Sequence, residues 1–78
     1  MSKDNITNTI ERHIGLYSGL EGEGWTGEVN IVSWNGREPK LDIRSWSPDH
    51  ERCSKGVTLT AREAEKLYEI LKDYHERG

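Results

Sequence analysis

The sequence predicts an α+β domain in which four short strands form one antiparallel sheet and a single helix closes the chain. Three observations predict it. From Ala61 the residues AREAEKLYEILKDYHERG are helix formers that run nearly to the C-terminus without Gly or Pro. Upstream, several short stretches alternate polar with apolar, often β-branched, residues and are bounded by Gly, Pro, Asn and Ser. Between two of these stretches lies Asn35-Gly36, a dipeptide that turns a hairpin.

In chain order, residues 1–9 are expected to fray, as exposed polar termini do. Within IERHIGLYS (10–18) a strand fits Ile14 to Ser18, and GLEGEG (19–24) is turn-rich. WTGEVNIVSW (25–34) and PKLDIRSW (39–46) read as paired strands, SPDHERCS (47–54) as a loop with a Pro-Asp turn, and KGVTLT (55–60) as a last strand. Thr60 with Glu63 forms a capping-box pattern, in which hydroxyl and carboxylate satisfy free amides of the first helical turn. Residues 10–78 thus form one domain, with no internal repeat or low-complexity segment.

The hairpin has two candidate registers. A two-residue Asn-Gly turn pairs Trp34 with Arg37, and hence Ile31 with Lys40 and Val29 with Asp42, mixing apolar and charged residues on both faces. A three-residue loop, Trp34-Asn35-Gly36 with Gly36 left-handed, pairs Ser33 with Arg37, Val29 with Leu41 and Ile31 with Pro39. The second register is preferred because it sorts the faces. Period-two alternation then places Val29, Ile31, Leu41 and Ile43 beneath the helix. Asn30, Lys40, Asp42, Arg44 and Trp46 point the other way, with Trp34 at the hairpin tip. Trp25 shares the parity of Val29 and is expected in the core.

At 78 residues and 32% apolar content the chain is short of core, since one this size buries only about 60% of its unfolded surface. A second copy would supply more. The helix supports that reading: Ala61, Ala64, Leu67, Tyr68, Ile70, Leu71 and Tyr74 cover about 180° of its surface, where one sheet needs about 100°. Leu67, Ile70, Leu71 and Tyr74 are therefore expected in a homodimer interface. The lone Cys53 argues for a reducing compartment, no apolar run approaches a membrane span, and the N-terminus lacks a signal-peptide core. A cytoplasmic protein that engages no membrane is expected.

Catalytic chemistry finds no footing in the residues. His50 and Cys53 are two candidate zinc ligands where a site wants four, and His13 reads as an exposed strand residue. The glycines of GLEGEGWTG precede no helix, so they are not a phosphate-cradling loop. Cys53 lacks a partner His for nucleophilic work. No enzyme activity, metal, cofactor or small-molecule substrate is expected.

The net charge of −3 suits a nucleic-acid ligand poorly, but the distribution is uneven. Only residues 34–56 lean positive, with Arg37, Lys40, Arg44, Arg52 and Lys55 against Glu38, Asp42, Asp49 and Glu51. The same stretch holds Trp34 and Trp46, two of the three tryptophans. Stacking rings beside cations are what binding of a single strand requires.

The stretch WNGREPKLDIRSWSPDHERCSKGVTLTAREAEKL resembles the positive-cofactor-four type of transcriptional coactivator, especially its short bacterial branch. The features that carry the resemblance are an aromatic before a Gly-containing basic turn, LDIRSW, a polar loop, and KGVTLT running into one long helix. The likeness covers roughly residues 10 to 75. It implies a curved four-stranded antiparallel sheet followed by a helix, dimerised through the helices, whose sheets grip single-stranded DNA with little sequence preference. By position, it makes Trp34 and Trp46 stacking aromatics, and Arg37, Lys40, Arg44 and Lys55 the phosphate contacts. Glu38 and Asp42 within this footprint, and the absence of a basic or Ser-rich lead-in, depart from the family pattern.

The expected function is homodimeric single-stranded DNA binding in transcription or DNA maintenance. A single-stranded RNA ligand, or a protein partner anchored on the same aromatics, remains an alternative at this point.

Overall fold

The computed structural model describes residues 7–78 apart from 21 and 23. Within them the chain forms β1 (Asn8–Ser18), β2 (Thr26–Trp34), β3 (Lys40–Trp46), β4 (Val57–Leu59) and α1 (Ala61–Arg77). The strands make one antiparallel sheet in the order β1-β2-β3-β4. This is the α+β architecture expected.

β1 starts well before Ile14. Its pairing with β2 shifts register between Ile10 and Arg12, His13 and Gly15, and Leu16 and Ser18. Such bulges break period-two alternation and bend a strand, which hides it from a pattern search. Its start lies inside the stretch expected to fray and is tied down: Thr7 N–H donates to Asn35 Oδ1 and Asn35 N–H to Thr7 O, both at 2.8 Å. The fraying expected of residues 1–6 lies outside the described residues, as do Glu21 and Glu23 of the GLEGEG turn.

Neither register considered for the central hairpin is the observed one. Asn35 (φ 54°) and Gly36 (φ 74°) are both left-handed and Arg37 N–H donates to Trp34 O at 2.9 Å, so the two-residue turn forms locally. The strands nevertheless pair Val32 with Lys40, Ile31 with Leu41 and Val29 with Ile43. One extra residue between the turn and β3 displaces the ladder by one step from what the turn dictates. That step restores the parity of the preferred register, and so its assignment of faces. Ser33 Oγ holds the irregular stretch by donating to Arg37 O at 2.6 Å.

The helix begins as its capping residues require. Glu63 N–H donates to Thr60 Oγ1 at 3.1 Å, and Thr60 N–H donates to Glu63 Oε1 at 2.9 Å. α1 contacts only β3 and β4, and none of its residues is buried. Val29, Ile31, Leu41 and Ile43 are consequently half-buried. Trp25 departs from expectation and stands 45% exposed, because it precedes β2 at an end of the sheet that the helix does not reach. Among the described residues no helix is long and apolar enough to cross a membrane.

Candidate nucleic-acid interface

The opposite face of the sheet holds the most deeply buried side chains. Among the described residues the only buried large hydrophobics are Val32 and Trp46, and both belong to this face with Glu28, Asn30 and Asp42. Trp34 lies at the hairpin tip and Trp46 opposite Thr26, at the far end of a strand that would span about 26 Å if flat. Their rings nevertheless stack, with centroids 6.4 Å apart and planes 13° from parallel. The sheet must curl around this face to bring them together.

Trp46 is 1% exposed and sandwiched, with His50 on it at 5.7 Å between centroids. Its indole N–H has no hydrogen-bond partner among the described residues, so packing rather than a polar bond holds the ring. His50 reaches the stack from the loop after β3, where Ser47 and Asp49 bind the backbone back on itself. Ser47 Oγ accepts from Arg52 N–H at 3.0 Å, and Asp49 Oδ1 from Glu51 N–H at 3.0 Å. The Glu51 N–H, together with Ser47 Oγ donating to Asp49 Oδ1 at 2.7 Å, holds the Asp49 carboxyl below its ordinary value.

A polar network supports the rings from below. Glu28 Oε2 pairs with His50 Nε2 at 2.8 Å and accepts from Thr26 Oγ1 at 2.6 Å, while Oε1 accepts from Asn30 Nδ2 at 3.0 Å. Burial alone would raise the Glu28 pKa; these hydrogen bonds and the nearby His50 charge outweigh it and lower it. Asp42 pairs with Asn30 and Thr58 across the sheet. Its carboxylate accepts from Arg44 Nε (2.6 Å) and Nη2 (2.9 Å), Thr58 Oγ1 (2.9 Å) and Trp34 Nε1 (3.2 Å). For Arg44, burial opposes the charge, but the Asp42 bonds and charge outweigh it and raise the pKa, so the guanidinium stays charged.

Two open clefts meet at Trp34. One, of about 220 Å³, is lined by Trp34, Arg37, Glu38, Lys40 and Thr58. The other, of about 450 Å³, is lined by Trp34, Arg44, Cys53, Ser54, Lys55 and Thr58. Arg44 Cζ lies 4.6 Å from the Trp34 ring centroid, within cation–π range. The chain entering β4 approaches β3 closely here: a Cβ on Gly56 would fall on Ile43 O and Arg44 Cβ. Trp34, Arg37, Lys40, Arg44 and Lys55 thus converge, and Trp46 backs the ring from within.

Thr58 and Ser54 also line the clefts, and neither stands out in the sequence as a site residue. The alternation in Val57-Thr58-Leu59 was the available signal for Thr58. His50 carried none, because only the fold brings it beneath Trp46. On the helix, Leu67 is half-buried while Ile70, Leu71 and Tyr74 are exposed. Among the described residues no three His, Cys, Asp or Glu side chains group as a metal centre.

Comparison with known proteins places the chain in a family. Residues 22–70, well over half of the chain, match the family described as Transcriptional Coactivator p15 (PC4). The chain is also 44% identical over 68 residues to an uncharacterized protein of Treponema pallidum (strain Nichols), covering 87% of this chain and 79% of that protein.

Proposed function

The chain belongs to the transcriptional coactivator p15 (PC4) family, and on that premise we propose that it is a homodimer that binds single-stranded DNA with little sequence preference, acting in transcription or DNA maintenance. The convergence of two cation-rimmed clefts on Trp34 carries this reading. A base stacks on Trp34, which Trp46 and His50 back; Arg37, Lys40 and Lys55 take the flanking phosphates, and Arg44 lines the cleft with the N–H groups that Asp42 and Ser54 leave free. Stacking contributes about 1–3 kcal/mol per base whatever the base, so low sequence preference follows. A patch built only to anchor a protein would need no such ring of cations.

The dimer forms through α1. Ile70 and Tyr74 stand 64% and 72% exposed, and Val29 and Ile31 lie on sheet surface that the chain's own helix leaves partly open. A second helix, with Leu67 and Leu71, would cover both. The cytoplasm suits the lone Cys53, which is a free thiol.

Titration of tryptophan fluorescence with oligo-dT, its duplex and the matching RNA tests the reading. Quenching and tighter binding are expected with oligo-dT, because a duplex hides the base faces. Equal affinity for the duplex would reduce the contact to phosphates and remove the stacking role of Trp34. Preference for the RNA strand would move the ligand to RNA.

A further inference from the structure

We propose that Asp42 is a positioning residue for the Trp34 cleft: one buried carboxylate sets the stacking ring and the guanidinium beside it in fixed relation before any strand arrives. This rests on the reading of the cleft as a single-strand site, but assigns a role to a residue whose charge would by itself oppose DNA.

Asp42 is 0% exposed, so water does not compete for its oxygens. Its donors come from three places in the sheet: Trp34 at the end of β2, Arg44 two residues along β3, and Thr58 on β4. Arg44 spends Nε and Nη2 on this carboxylate and Nη1 on Ser54 O at 3.3 Å, which fixes the guanidinium plane over Trp34. Trp34 adjoins a left-handed turn and has one polar atom; the bond to Asp42 fixes the rotation of its ring. The acid inside a DNA footprint is then explained by geometry. It removes rotamer freedom that binding would otherwise have to remove, and it neutralises a charge that is used for orientation.

The sign of one substitution separates this role from a purely electrostatic one. Asp42→Asn makes the face more positive, so charge alone demands tighter oligo-dT binding. Positioning demands the reverse: affinity at fixed salt falls about tenfold, with weaker tryptophan quenching. Anisotropy of a labelled oligo-dT measures the affinity, and melting and sedimentation establish that the variant keeps its fold and assembly. In a Trp34→Phe background, which has no indole N–H to hold, the effect of Asp42→Asn should shrink to the part that acts through Arg44.

Unchanged or tighter binding by Asp42→Asn, or the same loss in both backgrounds, overturns the proposal while the single-strand reading stands. Failure of the wild-type protein to bind oligo-dT overturns both. Exchange of the Trp34 indole N–H in the free wild-type protein decides the matter even where Asp42→Asn does not fold. Slow exchange is expected of a proton held by a buried carboxylate, and fast exchange overturns the proposal.

Discussion

The two faces of this sheet invert the usual division of labour. The face of Val29, Ile31, Leu41 and Ile43 is apolar and only half-buried, because α1 reaches β3 and β4 alone. The face of Glu28, Asn30, Asp42, Arg44, Trp34 and Trp46 is mostly polar, yet it contains the most buried side chains. Composition therefore does not say which face is closed. The polar face closes on itself, because two indoles and an imidazole stack beside two carboxylates, Glu28 and Asp42, that each accept several hydrogen bonds. The apolar face lacks cover within one chain, and a second copy is the proposed remedy.

The largest effect should come from the closed face. Trp46→Ala removes a fully buried indole and should destabilise the protein by about 3–5 kcal/mol in denaturant melts. A loss under about 1 kcal/mol would mean that the stack covers the polar network without holding it. Next is the open face, where Ile70→Glu should yield monomers by sedimentation and cost about 2–3 kcal/mol of stability. An intact dimer would remove α1 from the interface.

Smaller effects sharpen the contrast within the polar face. Trp34→Ala should weaken oligo-dT binding by about 1–3 kcal/mol with little change in the salt slope, since no phosphate partner is lost. Lys40→Ala should instead flatten that slope by about 0.7. Identical salt behaviour in the two variants would merge roles that the clefts keep apart. The smallest effect is in pH. The folded Glu28 has its pKa lowered from 4.5, so its contribution to stability is present above about pH 4.5 and disappears as pH falls through the lowered value. Melts of the wild type and Glu28→Gln should therefore differ near neutrality and converge in acid. A constant difference would show that the carboxylate charge is immaterial.

Much of this was legible in the residues. Thr60 and Glu63 marked the helix start because a cap is local chemistry, complete within four consecutive positions. The sides of β2 and β3 followed from alternation, and they survive although the pairing differs from both registers considered. Parity requires only that apolar residues agree on a side, whereas register depends on how the chain leaves a turn. β1 is legible only in part because its bulges erase the alternation. The cations and Trp34 were legible as candidates because they gather in the one stretch that leans positive, and because WNGREPKLDIRSW and KGVTLT carry the family resemblance.

The sequence by itself determined the element order, the helix cap, the two sides of the sheet and the candidates Trp34, Arg37, Lys40, Arg44 and Lys55, all of them properties of near neighbours along the chain. Only the tertiary structure decided that Trp46 is buried behind Trp34, that His50 completes the stack, and that Asp42 joins Trp34 to Arg44 and Thr58. Those relations join residues of β2, β3, β4 and the loop after β3. They exist because the sheet curls enough to bring its two ends together over one face, and no local pattern of residues encodes that curvature.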